Sequence, residues 1–115
     1  MDKTAAVDDM LSWLSARRSN SNVAGMARYG INTDRAFGVS NADLRRLARQ
    51  IGRNHQRSLD LWQTVYREAR LLAAFTDEKA KVTAEQARAW AADFNSWEIV
   101  DGVSDLFVAA GLGDL

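Results

Sequence analysis

No proline occurs anywhere in this chain of 115 residues. Proline removes a backbone donor and clashes with the preceding helical turn, so its absence leaves helices free to run wherever the side-chain pattern allows. Ala, Leu, Arg, Asp and Glu are plentiful, and no stretch shows a convincing two-residue alternation of the kind strands require. The pattern predicts an all-α fold. Thr4 is the expected cap of a first helix with Val7, Met10, Leu11 and Leu14 at helical spacing. Ser19–Asn22 is a turn cluster opening a second helix through Val23, Met26 and Ala27, with a stop at Gly30 and a loop over 31–39. Ser40 and Asp43 cap a third helix, whose Leu44, Leu47, Ala48 and Ile51 form one apolar stripe.

The second half reads the same way. Ser58 is the expected start of a long helix from Leu59 to Phe75. Two apolar strips, Leu59/Trp62/Tyr66/Ala69/Ala73 and Leu61/Val65/Leu72, make it the central helix. Asp77-Glu78-Lys79 is a break. Thr83 and Gln86 match a capping box ahead of Ala87, Trp90, Ala91 and Phe94. Asn95-Ser96 leads into a last helix that buries Ile99 or Val100, Val103, Leu106 and Phe107. The sum is about six helices in one domain over 1–115. Pairing at roughly 35–40-residue spacing suggests an α-solenoid of about three HEAT-like helix pairs, with a compact bundle as the alternative.

Composition excludes several classes of function. The absence of cysteine removes disulfides, thiol catalysis and zinc–cysteine sites. A single histidine, His55, argues against a serine–histidine–aspartate triad or a multi-histidine metal site; it follows a helix end and is expected at the surface. Neither metal nor cofactor is expected. No apolar run approaches the ~18 residues of a membrane span, and Met1-Asp2-Lys3-Thr4 does not open a signal peptide, so a cytoplasmic location is expected.

The formal net charge of zero conceals an asymmetry. Residues 1–57 carry ten Lys/Arg against five Asp/Glu, whereas 58–115 carry five against ten. Between Arg17 and Arg57 stand nine arginines, Arg28 among them, and only two acids, Asp34 and Asp43. Such a one-sided basic field suits a polyanion or an acidic partner, while a solvated helix face is the plainer explanation. Arg45, Arg46, Arg49 and Arg53 lie off the apolar stripe of the third helix, where guanidiniums can pair bidentately with phosphate. Trp97 and Asp101, four residues apart, fall on one helix face. An indole beside a carboxylate suits a cationic ligand; a core tryptophan beside a surface ion-pairing residue is the other reading.

Several stretches carry a family likeness. Met26-Ala27-Arg28-Tyr29, Gly38-Val39-Ser40…Asp43-Leu44-Arg45, Glu68-Ala69-Arg70-Leu71-Leu72-Ala73 and Asp93-Phe94-Asn95-Ser96-Trp97-Glu98-Ile99-Val100-Asp101 resemble parts of the DNA alkylation repair family, the HEAT-like alkylpurine DNA glycosylases. The resemblance covers roughly residues 23–108, and the Trp97–Asp101 pair is its most specific part.

The resemblance implies binding of alkylated duplex DNA and hydrolysis of the N-glycosidic bond of N3- or N7-alkylpurines. In that role Trp97 packs against the lesion or its sugar, and Asp101 stabilises the oxocarbenium and orients water. Tyr29 and Arg28 join Arg45, Arg46, Arg49 and Arg53 in contacting DNA. Family members typically carry further repeats beyond the segment matched here. An uncapped apolar end face through Trp90, Phe94, Leu106 and Phe107 is therefore expected, together with self-association or a partner chain that supplies the missing repeats. A non-catalytic HEAT-like scaffold that associates through this face is the alternative function.

Overall fold

The computed structural model describes residues 1–28, 35–93 and 97–111, with the backbone alone for 97–102. Among the described residues seven α-helices follow one another: α1 (Val7–Ala16), α2 (Asn20–Arg28), α3 (Asn41–Ile51), α4 (His55–Gln63), α5 (Arg67–Thr76), α6 (Ala84–Ala92) and α7 (Trp97–Ala109), with a 3-10 turn at Lys79–Lys81. There is no strand among the described residues. The all-α expectation holds, with one helix more than expected.

The extra helix comes from a break inside the segment read as continuous over 59–75. The chain leaves α4 after Gln63 and enters α5 at Arg67. Thr64 Oγ1 donates to the Leu61 carbonyl at 2.8 Å, closing the last turn of α4. Val65 sits at φ 59°, a left-handed conformation that β-branched residues rarely adopt. Across the break the Arg67 amide donates to the Arg35 carbonyl at 2.8 Å. A contact 32 residues away in sequence thus re-aims the chain, and no glycine or proline marks the position.

Capping is partly as expected. Ser40 Oγ accepts from the Asp43 amide at 3.2 Å, as its spacing predicts. α1 starts later than expected: its N-cap is Ala6, and Thr4 Oγ1 instead donates to Asp2 Oδ1 at 2.6 Å. α4 starts before Ser58, with Asn54 as the cap accepting from the Arg57 amide at 3.0 Å. Ser58 itself is buried. The Thr83–Gln86 box is half made. Thr83 Oγ1 accepts from the Gln86 amide at 3.1 Å, but the Gln86 side chain donates to Asp77 Oδ2 at 2.7 Å rather than returning to the cap.

The core gathers around α5, which packs most heavily against α4 and α7 and also meets α3 and α1. Met10, Leu14, Leu44, Leu47, Ile51, Leu61, Trp62, Leu72 and Val103 are fully or almost fully buried there. Trp62 and Trp90 stack with ring centroids 4.2 Å apart and planes 2° from parallel, joining α4 to α6, and Phe107 tilts against Trp90 at 6.4 Å. The exposed end face expected from the sequence is not found at these residues. Trp90, Leu106 and Phe107 are buried, because α7 folds back onto α5 and α6. Phe94 lies outside the described residues. Among the described side chains of this helix, Val108 is the exposed large apolar one.

Segment 35–39 is held from two sides. Its Phe37 carbonyl accepts from the Ser19 amide and its Gly38 carbonyl from Asn22 Nδ2, both at 2.9 Å. Gly38 has φ 84°, and a Cβ there would stand 2.3 Å from the Ser19 carbonyl oxygen. Gly38→Ala combines left-handed strain with a backbone clash. It should cost about 2–3 kcal/mol, read as a lower urea midpoint with unchanged slope.

Candidate nucleic-acid interface

The arginines of α3, and Arg53 just beyond its end, divide in the folded chain. Arg45, Arg49 and Arg53 line one cavity of about 330 Å³ together with Ala48, Gly52 and Phe75. A second cavity, about 210 Å³, adjoins it through Arg45, Arg53 and Phe75 and adds Lys79, Asp105, Leu106 and Ala109. The two make one groove between the C-terminal ends of α3 and α5 and the side of α7. Local structure explains the gathering. Arg45 and Arg49 are one helical turn apart. The left-handed Gly52 (φ 66°) then ends α3, and Arg53 is tied down by its Nη1 donating to the Asp77 carbonyl at 3.1 Å.

Arg45 lies over the Phe75 ring, 4.4 Å from its centroid. A guanidinium stacked in this way has its stem ordered and its edge left open to donate, an arrangement suited to a phosphate. Arg46 is separate. It pairs with Asp43 at 3.3 Å and does not line the groove. Arg28 closes α2 at an exposed position and does not line it either. Phe75, Lys79 and Asp105 are groove residues that sequence reasoning missed. Lys79 stood only in a helix break, and nothing local connects it to α3.

Trp97 and Asp101 both fall within α7; their side chains, and Tyr29 altogether, lie outside the described residues. The helix register still relates the pair to the groove. Position 101 is one turn before Asp105, about 6 Å along the axis, and Asp105 lines the groove.

Several charged groups are buried elsewhere in the fold. Glu68 is fully buried; it accepts from the Phe37, Gly38 and Val39 amides at 2.9, 2.9 and 3.1 Å and from Arg67 Nη1 at 2.8 Å. Arg70 donates to the Trp62 and Asp93 carbonyls and lies over the Trp62 ring. Burial lowers its pKa, and Asp93 opposes that shift. Arg57 donates to the last carbonyls of α3, at Ile51 and Gly52, and burial lowers its pKa as well. His55 is not the surface residue expected. It opens α4, half-buried, with Nδ1 2.7 Å from Asp77 Oδ1 and its amide donating to Glu78. That amide bond, with Lys81, holds the Glu78 pKa below its ordinary value.

The fold and groove define a small all-helical protein with a basic concave surface suited to a polyanion. A family model described as DNA alkylation repair enzyme matches residues 10–114. The chain therefore belongs to the DNA alkylation repair enzyme family, and membership implies interaction with DNA. No curated protein and no solved structure matches the chain significantly. Among the described residues no helix is long and apolar enough to cross a membrane, and no group of three or more metal-ligating side chains is present.

Proposed function

We propose that this protein binds alkylated duplex DNA along the Arg45–Arg49–Arg53 groove and hydrolyses the N-glycosidic bond of N3- or N7-alkylpurines. The observation that carries the reading is the register of α7, in which position 101 falls one turn from Asp105 of the groove lined by Arg45, Arg49 and Arg53. Arg28 and Arg46, which do not line the groove, and Tyr29 are assigned further contacts to the DNA. The architecture we assign is the HEAT-like helix pairing of the family. The competing scaffold reading needed an apolar end face, and the burial of Trp90, Leu106 and Phe107 weakens it.

The chemistry asks little of the protein. An N3- or N7-alkylated purine is already cationic, so the base leaves with the glycosidic electron pair as a neutral molecule. Positive charge then develops on the sugar as an oxocarbenium. In this reading the Asp101 carboxylate stabilises that charge and orients the water that attacks C1′. Trp97 packs against the cationic base or the sugar, where a ring face attracts positive charge. Neither step needs a metal or a cofactor.

The test is release of methylated purine bases from N-methylated duplex DNA. Release above the spontaneous rate is expected; its absence from folded, DNA-binding protein would remove the hydrolytic half of the reading. The groove has its own check. Each phosphate contact adds about 0.9 to the slope of log K against log salt. Arg45→Ala combined with Arg49→Ala should flatten that slope by about 2. Arg46→Ala, already paired with Asp43, should change it less than either groove substitution alone.

A further inference from the structure

A third cavity, about 340 Å³, opens between α4 and α6 and shares no lining residue with the basic groove. Its wall contains no lysine or arginine. Apolar surface comes from Leu59, Ala89 and the Trp62–Trp90 stack. The polar side chains lining it are His55, Gln63, Thr83, Glu85, Gln86 and Asp93. His55 Nδ1 meets the Asp77 carboxylate at 2.7 Å, so this nitrogen carries a proton. Gln86 commits its Nε2 to the same carboxylate at 2.7 Å. Gln86 is only 8% exposed, and its Oε1 receives no hydrogen bond among the described residues, a costly state for a buried acceptor. Glu85 is exposed at the mouth. Asp93 takes the Trp62 indole N–H at 3.3 Å and lies 3.9 Å from Arg70, with its side chain half open to solvent.

Charge follows the same pattern. Glu85 and Asp93 line the cavity, Asp93 with Arg70 3.9 Å away; Asp77 is not in the wall but bonds His55 and Gln86, which are. Glu78 is paired with Lys81 at 3.1 Å. A guest that meets the unmet Gln86 Oε1 and the Glu85 and Asp93 carboxylates brings hydrogens and positive charge. A guanidinium meets these needs better than an ammonium: it is planar, weakly hydrated, rich in donors and compatible with an apolar wall. The volume lies at the lower end of ligand sites, about the scale of one long side chain.

We propose that this cavity receives an arginine side chain from a partner polypeptide. The inference goes beyond the DNA reading and does not depend on it. The acidic half of the chain, five Lys/Arg against ten Asp/Glu over 58–115, is where a basic partner would be drawn. Because the cavity and the groove share no residue, that partner and DNA can bind together.

The experiment titrates the full chain, labelled with nitrogen-15, with an acetylated Gly-Gly-Arg-Gly-Gly amide. The Trp62 indole N–H, bonded to Asp93, is the reporter, assigned through Trp62→Phe. A saturable shift is expected. It should weaken about tenfold or more with citrulline in place of arginine, and likewise in Glu85→Gln and Asp93→Asn, the latter keeping a carbonyl acceptor for the indole. Glu85 is exposed, so its variant stays folded and keeps the test decisive. No shift, an equal shift with citrulline, or a shift untouched by both variants would overturn the site. Free arginine amide binding as tightly as the peptide would overturn the polypeptide partner in favour of a small cation.

Discussion

Glu68→Ala should leave the chain largely unfolded at room temperature. The Glu68 carboxylate is fully buried and is the shared acceptor for three successive amides, Phe37, Gly38 and Val39, and for Arg67. Removing it strands those three N–H groups in a region closed to water and takes away the carboxylate 2.8 Å from the Arg67 guanidinium. Breaking a buried ion pair by deleting one partner costs about 3–5 kcal/mol, and each stranded donor adds about 1–3 kcal/mol before relaxation. Even with strong non-additivity the loss exceeds about 4 kcal/mol. That is comparable to the roughly 5–15 kcal/mol by which domains are stable. Glu68→Gln tests the charge separately. It keeps the volume and one acceptor but turns an NH2 toward groups that already donate, and it should fall between wild type and Ala. Far-UV circular dichroism with a urea titration reads both. A Glu68→Ala protein with a midpoint near wild type would show that the 35–39 segment stands without its carboxylate anchor.

Asp101→Asn should abolish base release and leave the fold intact. Asn has the shape of Asp but not its charge, so an electrostatic role is lost while packing is kept. Preorganised groups that stabilise developing charge are typically worth 10²–10³ in rate. A loss of about that size, or to the spontaneous rate, is expected on methylated duplex DNA. DNA affinity should change little, because the groove arginines supply the phosphate term. The thermal midpoint should stay close to wild type, because the substitution is isosteric. If Asp101→Asn unfolds the protein, Asp101 is a structural residue and the catalytic assignment falls. If release persists at the wild-type rate, the charge that drives the reaction sits elsewhere.

These two expectations separate what supports the surface from what acts on it. Glu68 anchors the segment leading into α3, and α3 presents Arg45 and Arg49. On the proposed function, a Glu68 variant is expected to lose DNA binding along with the fold, and an Asp101 variant turnover alone.

Local sequence rules were sufficient for most of the helices. The Ser40 cap, the Leu44/Leu47/Ile51 stripe, the stop at Gly52 and the break at Asp77 all depend on groups within about four residues of one another, the range over which a helix repeats. The Trp97–Asp101 spacing was legible for the same reason, since one helix sets both positions. The family resemblance, carried by the stretches around Met26, Gly38, Glu68 and Trp97, agrees with the match over 10–114.

Tertiary structure decided what depends on distant partners. The break at Val65 is tied to Arg35, the orientation of His55 and Gln86 to Asp77, and the burial of Glu68 to amides about thirty residues earlier. It also divided the arginines, bringing Arg45, Arg49 and Arg53 to Phe75 and Lys79 and leaving Arg46 to Asp43. The sequence by itself determined which segments are helical, because hydrogen bonding within a helix is local. Which polar groups share a surface was determined only when α3, α5 and α7 packed, because a buried carboxylate or a gathered set of cations takes its meaning from neighbours far along the chain.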